Sequence, residues 1–120
     1  MSITDPTFLA FSELQRADYR RALPQRLAQI ELLWNQVLNH ESTVQALAAL
    51  ERCAHSLAGS SSTFGFAGMG RAARELELAV HLLVHAACAL TCAARTEVSQ
   101  AIELLQRSLI DERAIRGITS

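Results

Sequence analysis

The sequence predicts an all-α fold: an up-down antiparallel four-helix bundle with a short additional N-terminal helix. Three observations carry that expectation. The 120 residues are 50% hydrophobic and rich in Ala, Leu, Glu, Gln and Arg, all good helix formers. Apolar residues recur at spacings of three and four, while alternating β-branched runs between turn residues are missing. Breakers are concentrated: proline occurs only at Pro6 and Pro24, and four of the five glycines fall between Gly59 and Gly70.

Asp5 followed by Pro6 reads as an N-cap and first helical residue, opening a short helix to about Gln15. A second helix follows from Tyr19 or Leu23 to about Asn39. Its stripe is Leu23, Leu27, Ile30, Trp34 and Val37, with Pro24 in or near its first turn. Ser42 or Thr43 caps a third, striped by Leu47, Leu50, Ala54, Leu57, Ser61 and Phe64. A turn through Phe64, Gly65 and Phe66 leads to a long fourth helix, about Ala67 to Ala93, with Met69, Ala72, Leu76, Leu83 and Leu90 inward. Arg95 and Thr96 restart a fifth, which buries Val98, Ile102, Leu105 and Leu109 and ends before Gly117. Short connections make successive long helices antiparallel neighbours. One domain over residues 1–120 is expected.

Several function classes fall away. All 11 basic residues are arginine and the net charge is −1, which argues against a nucleic-acid binder with a broad basic surface and removes lysine chemistry altogether. No run approaches the ~18 apolar residues of a membrane span, so no membrane insertion is expected. Met1 to Pro6 lacks the pattern of a signal peptide. Cys53, Cys88 and Cys92 form no even disulfide framework, and reduced thiols in a cytoplasm are the simple reading.

One residue of the third helix is out of place. At ~100° per residue, His55 lies roughly 130° from the centre of the apolar stripe, on the solvent side. The neighbours assigned to its face are Ala48, Arg52, Ala58, Gly59 and Ser62, mostly the smallest side chains available. Glycine inside a helix costs about 1 kcal/mol relative to alanine. At Gly59, one turn after His55, it clears space beside the ring without adding a contact. A neutral imidazole so exposed is a competent nucleophile that a second macromolecule can approach. The other reading is an ordinary surface histidine, with Gly59 a packing accommodation.

The stretch Ala54-His55-Ser56-Leu57-Ala58-Gly59-Ser60-Ser61-Ser62-Thr63-Phe64-Gly65-Phe66 resembles the signature of histidine-containing phosphotransfer (HPt) domains, in the flavour of those in chemotaxis kinases. Met69 falls where that family usually has leucine, and Leu76-Glu77 matches its Leu-Glu pair without insertion. The chain departs from the family at Ala58, where a lysine usually stands three residues after the histidine. Arg52, three residues before His55, supplies some of that charge or is simply a solvated arginine.

The resemblance implies a phosphorelay intermediate of bacterial two-component signalling. Nε2 of His55 would accept a phosphoryl group from a receiver-domain phosphoaspartate, or a kinase, and pass it to another receiver. The implied partners are receiver domains and a hybrid histidine kinase. No cofactor of its own is implied, since Mg²⁺ would come with the receiver. Gly65, Gly68 and Gly70 lack the lysine and hydroxyl of a phosphate loop, so no kinase activity from ATP is expected. Two alternatives remain: a pseudo-HPt interaction module that docks receivers or kinases without carrying phosphate, kept open by Ala58, and a small metal-binding bundle.

The metal alternative rests on His81, His85, Cys88 and Cys92, at i, i+4, i+7 and i+11 of the fourth helix. One straight helix cannot wrap four ligands around an ion when the outer two are ~16 Å apart. The expectation is therefore no metal, with these residues at a surface or interface. Leu78 and Leu82 on one flank and Val80 and Val84 on the other make this helix apolar nearly all round, which offers a dimer or partner contact. Cys53 reads as packing. Arg16, Arg20, Arg21 and Arg26 form a basic cluster, read as a solvated face or a dock for an acidic receiver, and Phe64 and Phe66 as plugs of the bundle end.

Overall fold

The computed structural model of the chain describes residues 6–41, 43–85 and 90–119, all helix or short connection. The helices are α1 (Pro6–Leu38), α2 (Thr43–Thr63), α3 (Ala67–His85) and α4 (Cys92–Thr119). Each packs on two neighbours: α1 on α2 and α4, α3 on α2 and α4. Cross-helix contacts fix the directions. On α1 and α2, Arg16 meets Phe64 while Arg26 meets Ser56; on α1 and α4, Trp34 meets Ser99 while Glu31 meets Gln106. Advancing along one helix retreats along its neighbour, so the bundle is antiparallel throughout.

The predicted stripes form the core. Leu23, Leu27, Ile30, Trp34 and Val37 are buried, as are Leu50, Ala54, Leu57 and Ser61 on α2 and Val98, Ile102 and Leu105 on α4; Leu47, Phe64 and Leu109 pack partly buried against them. Burying the Leu, Ile and Val side chains among them stabilises by about 1.5–3 kcal/mol each relative to exposure.

Four boundaries differ from the sequence expectation. The separate N-terminal helix does not exist: α1 runs unbroken for 33 residues with Pro24 inside it. Proline costs a helix interior about 3 kcal/mol through the missing N–H and the clash with the preceding turn. Anchors on both sides of Pro24 offset this. Tyr19 stacks on Phe64 with ring centroids 4.8 Å apart, and Leu23 and Leu27 fill the core. The helix predicted to reach Ala93 instead ends at His85, and Leu90 and Thr91 are not helical. Thr91 caps α4, its Oγ1 accepting from the Ala94 amide at 3.1 Å, one turn earlier than the predicted restart at Arg95 and Thr96. α4 then continues through Gly117 to Thr119. Asp5, Ser42 and Cys88, to which caps and a stripe position were assigned, lie outside the described residues.

The α2–α3 turn shows how the site is set. Gly65 has φ +83°, Phe66 N–H donates to Ser61 C=O at 2.8 Å and Gly65 N–H to Ser62 C=O at 3.2 Å. This left-handed closure satisfies the last carbonyls of α2 and turns the chain back on itself. Phe66 is buried beneath it, with Arg16 and Arg20 over its ring. With only three residues between α2 and α3, their register is locked.

Candidate functional site

Register across the α2–α3 seam decides which side chains meet. Ser62 lies by Gly70, His55 by Glu77 and Glu51 by His81, so each step down α2 is matched by a step up α3. A Cβ on Gly70 would sit 3.0 Å from Ser62 Oγ, so the helices touch closely at this end because position 70 has no side chain.

That close approach corrects one expected site residue. Ala58 was placed on the exposed face, yet it is 1% exposed and packs in the core. A Cβ on Gly70 would lie 3.5 Å from its carbonyl. Ala58 is four residues after Ala54 and three before Ser61, both buried, so it belongs to the edge of the apolar stripe. Of the other residues assigned to that face, Arg52, Gly59 and Ser62 are exposed and Ala48 is half-buried. Ser62 Oγ donates to the Ala58 carbonyl at 3.0 Å, which spends its proton inside the helix.

His55 projects into solvent, its side chain 76% exposed. Its Nδ1 lies 2.6 Å from Oε2 of Glu77, whose side chain is only 21% exposed. A carboxylate can only accept, so Nδ1 carries the proton. The neutral ring then has its lone pair on Nε2. Glu77 was recognised in sequence as half of a Leu-Glu pair but given no role. Gly59 needs no internal explanation: a Cβ there meets nothing within 4 Å. The ring therefore has an oriented lone pair and an unobstructed neighbour one turn away.

One turn along α2 the arrangement is inverted. Glu51 Oε2 accepts from His81 Nδ1 at 2.6 Å, and Oε1 from His85 Nε2 at 3.0 Å. Burial alone would raise the pKa of the Glu51 carboxyl, but hydrogen bonds from both imidazoles and their charge reverse this and leave it lowered. One ligand atom from each of the three residues lies within 4.8 Å of the others. Glu51 went unnoticed in the sequence, although it stands four residues before His55 as His81 stands four after Glu77. Cys92 opens α4 and shares no helix with the histidines.

The arginine cluster is mostly structural. Arg16 Nε donates to the Phe64 carbonyl at 3.0 Å, and Arg26 donates to Ser60 and Ser56, both at 3.0 Å. Tyr19 joins them through Ser60 and Ser61. Only Arg21, paired with Asp18, is the solvated arginine expected. Arg52 faces the α1–α2 groove with Arg26, Cys53 and Ser56. Arg71 and Arg74, not singled out in sequence, line a groove on the other side with Ser62, Gly70 and Leu78. Val80 is core rather than flank, while Leu78 and Leu82 stay exposed. Among the described residues no helix is long and apolar enough to cross a membrane.

None of the curated proteins and none of the solved structures compared with the chain matches it. The family model of the Hpt domain does, over residues 16–114, a stretch that takes in all of α2 and α3 and most of α1 and α4. With a solvent-exposed histidine held by a carboxylate on the neighbouring helix, the chain belongs to the Hpt domain family, the phosphocarrier modules of two-component signalling that interact with receiver domains and histidine kinases.

Proposed function

We propose that the chain is a single-domain relay intermediate of cytoplasmic two-component signalling, with His55 as the phosphoacceptor. The Nε2 lone pair attacks the phosphorus of a receiver's aspartyl phosphate. The N–P bond forms as the P–O bond breaks, and the aspartate carboxylate leaves with the electron pair. The proton on Nδ1 stays where it is, so the phosphorylated ring carries a positive charge, which the Glu77 carboxylate balances. Transfer to a second receiver reverses the same bonds. Mg²⁺ comes with the receiver, and the chain itself needs no cofactor.

The observation that carries this reading is the His55–Glu77 contact on a ring that is otherwise open to water. The receiver docks over Ala48, Arg52, Gly59 and Ser62. Exposed Leu78 and the groove of Arg71 and Arg74 extend that surface on α3, and these arginines stand in for the missing lysine. A second reading, an interaction module that carries no phosphate, draws on Ala58, which offers the ring no charge.

Incubation with a phosphorylated receiver and Mg²⁺ tests both. The expected result is an acid-labile, base-stable label on the chain, absent in His55→Gln. A label that persists in His55→Gln would overturn the assignment. Receiver binding without a label would establish the interaction module instead.

A further inference from the structure

The cluster of Glu51, His81 and His85 has no part in the proposed transfer. It combines two imidazoles at i, i+4 of α3 with a carboxylate from α2. One straight helix cannot surround an ion, but here the third donor comes from a second helix.

We propose that Glu51, His81 and His85 bind one divalent transition-metal ion of the Zn²⁺ class, clasping α2 to α3 one turn from His55. Two nitrogen donors and one carboxylate oxygen are the set that such ions prefer, while Mg²⁺ and Ca²⁺ take oxygen ligands. Zinc sits about 2.0–2.2 Å from nitrogen and oxygen donors. Around a tetrahedral ion that spaces the donors about 3.3–3.6 Å apart. Glu51 now holds His81 at 2.6 Å through Oε2 and His85 at 3.0 Å through Oε1, and one donor atom from each residue lies within 4.8 Å of the others, so separations need change by no more than about 1.5 Å.

The means for that adjustment are present. Both histidine side chains are 55% exposed and free to move outward, while Glu51, 18% exposed, stays as the fixed member. The two rings already lie side by side, with centroids 4.2 Å apart. Each nitrogen that donates to Glu51 in the metal-free chain must offer its lone pair to the ion, so each neutral ring moves its proton to the other nitrogen. Three protein donors leave a fourth position for water.

The site is independent of phosphate chemistry at His55, and the test separates the two. The metal-free full-length chain is titrated with Zn²⁺ against a chromophoric competitor, and with Co²⁺ as a spectroscopic probe. The expected result is one equivalent of Zn²⁺, visible Co²⁺ bands of four- or five-fold coordination, and a raised melting temperature. Glu51→Gln, His81→Gln and His85→Gln each weaken binding at least tenfold, and His55→Gln leaves it unchanged. Failure of the wild-type chain to bind in the competition would overturn the proposal. So would binding that survives His81→Gln combined with His85→Gln, or that disappears with Cys53→Ser, Cys88→Ser and Cys92→Ser, since the ion would then sit on thiolates.

Discussion

Two histidine–glutamate contacts lie one turn apart on the same α2–α3 seam, and they do opposite things. At His55 the imidazole is on α2 and the carboxylate on α3; at Glu51 the elements are exchanged, and one carboxylate gathers two rings. Both contacts fix a tautomer, so fixing the tautomer does not by itself make a nucleophile. The surroundings differ. His81 and His85 crowd each other, whereas the next turn beyond His55 is Gly59, with empty space where a side chain would stand. Access, added to orientation, separates a reactive imidazole from a clasp.

The sharpest way to break this comparison is to remove each carboxylate in turn. Glu77→Ala frees Nδ1, lets the ring rotate and leaves the phosphorylated ring's charge unbalanced. Where a carboxylate orients a metal-bound histidine its loss costs about 10–100-fold in activity, and a loss of that order is expected here. Transfer from a phosphorylated receiver, followed by stopped-flow or quenched labelling, should slow by that factor. Glu51→Ala should change it far less, since the hydrogen bonds of Glu51 go to His81 and His85 and not to the His55 ring. Equal effects from the two substitutions would mean that both contacts serve only the packing of α2 on α3.

Gly59 sharpens the role of access. Alanine there meets no atom within 4 Å, so Gly59→Ala should fold and gain about 1 kcal/mol of stability from helix propensity alone. Leucine at the same position adds bulk where a partner must come. A forced overpacking of about 1–3 kcal/mol in the docked complex corresponds to roughly 5–150-fold in transfer rate. A Gly59→Leu chain that transfers normally would show that receivers do not approach over this turn. Gly70 is the contrast: there a side chain would press on Ser62, and substitution should disturb the seam itself.

Much of this was legible in the sequence because periodicity reports local geometry. The stripes of α1, α2 and α4 and the exposed position of His55 follow from 3.6 residues per turn. What escaped depends on neighbours. Pro24 reads as a helix start because proline usually is one; only the anchoring of Tyr19 against Phe64 on one side and Leu27 in the core on the other keeps α1 whole. Ala58 is too small for its residue type to declare a side, and the close approach at Gly70 decides it. Glu51 looks like any surface glutamate until the register is known. Once His55 is aligned with Glu77, Glu51 and His81 must also meet, so the second contact was recoverable from the first.

The smallest expected effect concerns that second contact. The pKa of Glu51 is lowered in the folded chain, so its ionised form binds its surroundings better than it does in the unfolded chain. The resulting stability is present above the ordinary glutamate pKa of about 4.3 and is lost as pH falls through the lower folded value. The partners are half in water, which holds the contribution to about 1 kcal/mol or less. In the presence of a chelator, Glu51→Gln should therefore melt about 2–4 °C below the wild-type chain at pH 7. The gap should close in acid, once pH falls below the folded value and the wild-type carboxyl is also uncharged. A gap of unchanged size in acid would mean that Glu51 acts through packing rather than charge, and the two ends of the seam would then differ in kind as well as in access.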